Sequence, residues 1–294
     1  MKMAVLPAAD LRRAVRQGLE EDAGQGDVTT AALFPTAVPA QARIIAQQEL
    51  IVAGMAPAIQ VFVAVDPSLA LTVMKKDGAR ATSGETLLRI EGDGRSILTA
   101  ERVALNFLQH LSGIATLTAR FRTAVRGYPV AILDTRKTLP GWRAIQKWAV
   151  ALGGGTNHRR SLSDGILIKD NHLSLLPHKQ AVRHACKLAK SRGKSRMPII
   201  VEVESLAEVT QALAGQADII LLDNMTPTMV RTAVRMVKRR ALVEVSGGVT
   251  LKNVRAMAAA GPDRISIGAL THSAPAATMT LELEPADRTR KRQH

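Results

Sequence analysis

From residue 130 onward the sequence alternates between short apolar, β-rich runs and segments of helical periodicity. This alternation constrains the fold more than any other feature. The runs lie at 130–133, 166–168, 199–203, 218–222, 242–245 and 264–267, and helical segments fit at 142–152, 177–190, 206–213, 227–239 and 251–260. Such a pattern builds a parallel sheet with helices packed on it, and the number of runs predicts an α/β barrel with fewer than eight strands. Nearly every run ends in chemically capable residues: Arg136 and Lys137, Lys169, Glu202, Asp223, Ser246-Gly247-Gly248, and Gly268. Ligands bind at strand carboxyl ends in folds of this class, so these residues are the candidate site.

The chain before residue 130 is organised differently. Asp10 offers an N-cap to a first helix carrying Leu11, Val15 and Leu19, which stops at Gly24. Strands are expected at 43–48, 50–53, 69–74 and 86–90, with a helix at 56–65 and turns at Asp66-Pro67, Asp77-Gly78 and Asp93-Gly94. Strands and helices without regular alternation describe an α+β domain with an open antiparallel sheet. Thr99 is expected to cap the following helix, whose stripe is Val103, Phe107, Leu111, Ile114 and Thr118. Arg102, Asn106 and Gln109 fall off that stripe, and on pattern alone Arg102 reads as a solvated helix charge. Residues 278–283 alternate like one more strand, returning to the first domain, and the end of the chain turns polar and basic. The expected division is 1–114 for an N-terminal α+β sandwich, rejoined by a strand within 275–294, and 115–274 for the barrel.

Composition narrows the partners. Forty Lys and Arg against 25 Asp and Glu give a formal charge of +15, a field that attracts anions. Aromatics are 2% of the 294 residues, too few for stacking on bases, so a small polyanion is expected and nucleic acid is not. Cys186, the single cysteine, excludes an intramolecular disulfide and a cysteine metal cluster, and its neighbours make it an ordinary helix residue. No apolar run has bilayer length, so a cytoplasmic location without a membrane partner is expected.

The candidate residues divide by chemistry. Arginine matches a carboxylate with a planar fork, which suits Arg136 and Arg159 to a carboxylate ligand, whereas lysine is a point charge suited to diphosphate oxygens, as at Lys137 and Lys169. Ser246, Gly247, Gly248 and Gly268 offer backbone N–H groups where a phosphate approaches closely, although Ser-Gly-Gly alone also reads as a flexible turn. Glu202 and Asp223 end adjacent strands and are able to bind Mg2+ or ribose hydroxyls, or to stabilise positive charge on a sugar carbon; Glu204 competes with Glu202. His158 reads as readily as a core or capping histidine as it does as a binding residue. A Schiff-base enzyme using Lys137 or Lys169 stays open at this point.

Asp-Thr-Arg-Lys-Thr at 134–138, Pro-Gly at 140–141, Gly-Gly-Gly-Thr-Asn-His-Arg at 153–159 and Ile-Leu-Ile-Lys-Asp-Asn-His at 166–172 resemble, in order and spacing, the quinolinate phosphoribosyltransferase family. The resemblance runs from Leu11 to about Leu283. It implies an irregular, seven-stranded α/β barrel with an N-terminal open-faced α+β sandwich, and transfer of a phosphoribosyl group from phosphoribosyl pyrophosphate to quinolinate with loss of CO2. It assigns His158 and Arg159 to substrate binding, selects Glu202 over Glu204, and implies a homodimer in which Arg102 reaches the neighbouring subunit's site. Mg2+ would arrive with phosphoribosyl pyrophosphate, and no organic cofactor is needed. The molybdenum-associated branch of the same family is a poorer likeness. Trp142 after Pro-Gly and Arg160 after His-Arg depart from the commonest pattern.

Overall fold

Along the chain the elements are α1 (Ala8–Ala23), α2 (Val28–Leu33), β1 (Pro39–Ala46), β2 (Leu50–Ile51), α3 (Met55–Val65), β3 (Ala70–Val73), β4 (Arg80–Ala81), β5 (Thr86–Asp93) and α4 (Gly94–Ala124). There follow β6 (Ala131–Leu133), α5 (Arg143–Leu152), β7 (Ile166–Ile168), α6 (Asp170–Ser174), α7 (Ala181–Arg192), β8 (Ile199–Val203), α8 (Leu206–Ala214) and β9 (Ile219–Asp223). The last are α9 (Pro227–Val237), β10 (Leu242–Ser246), α10 (Val254–Ala259), β11 (Arg264–Ser266), α11 (Ala269–His272) and β12 (Met279–Pro285). The structure is a computed structural model and describes residues 6–176, 179–193 and 197–286. The start of the helix expected at 177, and the basic tail beyond residue 286, lie outside the described residues. Two compact units emerge: one gathers the chain up to Leu117, Leu139–Gly154 and the segment from Ser273, the other Thr118–Thr138 and Gly155–His272.

The first unit holds an antiparallel sheet in the order β12-β1-β5-β3. β1 sits between β5 and β12, with Ala42 opposite Ile90 on one side and Leu283 on the other, and Ala40, Ala42 and Ile44 face inward and are buried. The returning C-terminal strand thus completes the first unit's sheet. β4, which no sequence pattern announced, pairs with β2. The stripe of α4 is buried as expected, but the helix starts earlier than Thr99: the Asp93 carboxylate accepts from Arg95 N–H at 3.1 Å, and Thr99 lies inside, bonded to Arg95 O. A carboxylate one residue before Gly94 satisfies the orphan N-terminal donors that a hydroxyl at 99 was expected to meet. Asp10 likewise falls in the first turn of α1, where it pairs with Arg13, and Pro7 holds the N-cap position.

The second unit is an incomplete α/β barrel. Its six parallel strands run β6-β11-β10-β9-β8-β7, and Leu133 forms a parallel bridge to Thr156 on the far side of β6, so a seventh strand is reduced to one residue. Outside the strands, α7, α8 and α9 pack side by side. Their starts follow local rules: Ser205 and Glu208 form a reciprocal capping box for α8, and Thr226 caps α9 ahead of Pro227. Cys186 is buried in α7. Among the described residues, no helix is long and apolar enough to cross a membrane.

Candidate active site

All the candidate residues except Arg102 lie in the second unit, at or just past the carboxyl ends of its strands. Parallel pairing in register brings those ends to one side, because Ser246 stands opposite Asp223 and Ser266 opposite Leu133. Arg102 is exposed on α4 in the first unit.

The loop after the Thr156 bridge is held by two buried carboxylates. Asp134, at the end of β6, accepts from Asn157 Nδ2 at 2.7 Å and from His158 N–H at 2.8 Å. Glu244, in the middle of β10, accepts from the Ser266 hydroxyl and stands 3.2 Å from His158 Nε2. Neither carboxylate is exposed at all. Arg159 then donates its backbone N–H to His158 Nδ1 at 2.7 Å and a guanidinium N–H to Gly165 O at 3.1 Å.

This arrangement leaves two arginines short of partners. The Nε groups of Arg136 and Arg159 are both buried without a hydrogen-bond partner. Burial, and then the neighbouring charge of Arg136, pull the Arg159 pKa below its ordinary value, against an opposing contribution from Asp164. Two like charges held together with unmet donors are unfavourable alone, and each charge-assisted bond to an anion would return roughly 1.5–3 kcal/mol.

The lysines are placed by close packing. Thr271 Oγ1 donates to Lys137 O at 2.6 Å, and the Lys137 side chain passes so near Gly268 that a Cβ there would stand 3.1 Å from Lys137 Cδ. Lys169 Nζ lies 2.5 Å from Glu202 Oε2, while His172 Nδ1 accepts the Lys169 backbone N–H at 2.9 Å and so starts α6. Glu204 lies just past the end of β8 and is exposed, and its backbone N–H donates to Glu208 Oε2 at 2.8 Å. Asp223 accepts from Asn224 Nδ2 at 2.7 Å. Gly247 has φ +85°, and a Cβ on it would lie 2.2 Å from Asn224 Oδ1, so only glycine fits this turn. Asn253 Nδ2 closes the loop onto Gly248 O at 2.9 Å.

Sequence reasoning gave Asp134 and Glu244 no role. Glu244 was hidden in Leu-Val-Glu-Val-Ser, where a lone carboxylate in an apolar run was itself the signal. Among the described residues, no group of three or more His, Cys, Asp or Glu is placed to hold a metal ion. Glu202 and Asp223 alone make too small a donor set for a resident Mg2+, but one or two carboxylates suit a Mg2+ that arrives on substrate phosphates.

Comparisons with known proteins agree over nearly the whole chain. Residues 27–112 match the quinolinate phosphoribosyl transferase N-terminal domain and 114–282 the C-terminal domain of the same family. Quinolinate phosphoribosyltransferase [decarboxylating] 1b of Nicotiana tabacum is 39% identical over 294 residues, spanning 95% of this chain and 83% of that protein. A probable carboxylating nicotinate-nucleotide pyrophosphorylase of Bacillus subtilis is 36% identical over 93% of both. The solved structure of the nicotinate-nucleotide pyrophosphorylase from Francisella tularensis superposes with a TM-score of 0.89 at 36% identity, covering 97% of this chain and 99% of that one. With both domains matched in order and relatives of this identity along almost the full length, the chain belongs to the quinolinate phosphoribosyltransferase family.

Proposed function

We propose that the protein transfers the phosphoribosyl group of phosphoribosyl pyrophosphate to quinolinate, releasing pyrophosphate and CO2 and forming nicotinate mononucleotide for NAD biosynthesis. The observation that carries this reading is the pair Arg136 and Arg159, two guanidiniums with buried, unmet Nε donors at adjoining strand ends. A pyridine dicarboxylate supplies the planar anions they lack. Lys137 and Lys169 neutralise the diphosphate that enters with Mg2+, and the Ser246-Gly247-Gly248 turn and Gly268 offer backbone N–H groups to phosphate. Glu202 and Asp223 face the ribose, where they favour positive charge developing at its first carbon.

The chemistry balances without an organic cofactor. The ring nitrogen bonds to the ribose carbon as the carbon–oxygen bond to pyrophosphate breaks. The alkylated nitrogen is then cationic, and its positive charge stabilises the carbanion left on the neighbouring ring carbon when the bond to the carboxylate breaks; CO2 leaves, and the carbon takes up a proton. Supplying quinolinate, phosphoribosyl pyrophosphate and Mg2+ should yield equal amounts of CO2 and mononucleotide, whereas nicotinate should turn over poorly. Equal turnover of both acids would sink the assignment. Borohydride trapping of a lysine adduct would instead favour Schiff-base chemistry.

The reading includes a homodimer in which Arg102 of one subunit completes the other's site. Its support is the exposed position of Arg102 on α4, off the buried stripe. Arg102→Ala and Arg136→Ala, each inactive alone, should restore activity on mixing, because a mixed dimer holds one site with both lesions and one with neither. Failure to recover despite proven subunit exchange would remove Arg102 from a shared site.

A further inference from the structure

We propose that Glu244 is a positioning residue for the substrate grip, fixing His158 as the Nε2–H tautomer so that His158 holds the backbone of Arg159. The inference deepens, and rests on, the reading of Arg136 and Arg159 as the carboxylate grip.

Glu244 is fully buried between Val243 and Val245, where its Oε1 accepts from the Ser266 hydroxyl and faces His158 Nε2. Its Oε2 has no hydrogen-bond partner, and the nearest cation contact is Arg264 Nη1 at 4.0 Å. A buried carboxylate left half satisfied is unfavourable, and an apolar residue of similar volume would pack without that penalty. Besides a partner for the Ser266 hydroxyl, what an acceptor supplies at this place is control of the imidazole. His158 Nδ1 accepts the Arg159 N–H at 2.7 Å and must therefore be unprotonated. A neutral ring then carries its proton on Nε2, which faces Glu244 Oε1 at 3.2 Å. Backing of a histidine by a carboxylate is a general way to choose the tautomer of the working nitrogen.

With both ring nitrogens engaged, His158 acts through Arg159 and does not itself touch the pyridine dicarboxylate. Asp134 holds the same loop through Asn157 and the His158 N–H, and Gly165 O holds one end of the guanidinium. The unmet Nε of Arg159 is thereby presented beside Arg136 before substrate arrives, so the order needed for binding is built in.

The test combines imidazole nitrogen NMR with a split of Michaelis constants. In the wild-type protein the spectrum should show His158 protonated on Nε2 and accepting at Nδ1. Glu244→Met, which removes the acceptor, should raise KM for quinolinate about tenfold or more while leaving KM for phosphoribosyl pyrophosphate unchanged. Glu244→Gln keeps an acceptor oxygen and should bring KM for quinolinate back to within about threefold of wild type. A proton on Nδ1 in the wild type, or a folded Glu244→Met with unaltered KM for quinolinate, overturns the inference alone. Arg159→Lys with unaltered KM for quinolinate overturns the reading beneath it and this inference together. Should Glu244→Met fail to fold, the wild-type spectrum decides: Nε2–H supports the proposal, and Nδ1–H refutes it.

Discussion

At the amino ends of the parallel sheet, Asp218 and Asp263 each engage the backbone of a neighbouring strand. Asp218 Oδ2 accepts from Ile199 N–H at 2.8 Å while its own N–H donates to Ile199 O at 2.9 Å, and its carbonyl accepts from Leu242. Asp263 repeats the arrangement on Val243 at 2.8 and 2.9 Å, and its carbonyl accepts from Ala131. At the carboxyl ends, Arg136 and Arg159 have buried donors with no partner and sit close enough to lower the pKa of one of them. Both ends are charged, but one set engages neighbouring strands and the other keeps buried donors without a hydrogen-bond partner. Charge already answered by backbone belongs to the fold; charge held unanswered by the fold belongs to a ligand.

The largest effect should come from the unanswered pair. Arg136→Ala and Arg159→Ala should each lower kcat/KM for quinolinate by about a hundredfold or more, the equivalent of one lost charge-assisted grip. Urea unfolding of either variant should match or exceed wild-type stability, since removing one guanidinium relieves its neighbour. A large loss of stability would break the comparison by making these arginines structural.

Lys137→Ala and Lys169→Ala should act next, raising KM for phosphoribosyl pyrophosphate by roughly tenfold with little change in KM for quinolinate. Lys169→Ala should be the more severe, because Glu202 loses its ion-pair partner as well. Equal rises in both Michaelis constants would erase the division of labour between lysines and arginines.

At the other end of the strands the signs reverse. Asp263→Ala should destabilise by about 1 kcal/mol through the lost bond to Val243 N–H, read as a lower urea midpoint, while kcat/KM at 25 °C stays put. A fall in activity at unchanged stability would show that the amino ends also tune the site.

The sequence made the carboxyl ends legible and concealed what supports them. Runs such as 166–168 and 199–203 coincide with β7 and β8, because β-branched residues in short buried strands leave a local mark. Each residue just past such a run could be placed without knowing the fold. Asp134 and Glu244 were not legible, because their partners lie at 157–158 and 266, contacts that exist only after the strands have assembled. The one-turn helix α6 is too short to show a period, and the start of α4 was misjudged because Asp93-Gly94 reads as a turn until Val38 and Arg95 both donate to the Asp93 carboxylate. Lys147, buried in α5, is a long polar side chain that no local pattern would send inside.

The smallest effect uses Cys186 as a reporter of the amino ends. Burial first, and then the charge of Asp218, push its thiol pKa up from 9.0 to about 11. The folded protein therefore keeps the thiol proton at pH values where the unfolded chain has released it, and this contribution to stability is present below 9.0 and is lost as pH rises toward about 11. Cys186→Ala should flatten that part of the pH dependence. Asp218→Asn removes the charge and keeps an oxygen for Ile199 N–H, so the thiol pKa in the folded protein should fall, by less than about one unit because burial is the larger cause. The pH dependence of thiol alkylation measures it. An unchanged thiol pKa would show that the Asp218 charge is already fully answered by the backbone around it, which would make the contrast between the two ends of the sheet sharper still; a fall of two units would show a carboxylate far less satisfied than its hydrogen bonds suggest, and the two ends would no longer differ in kind.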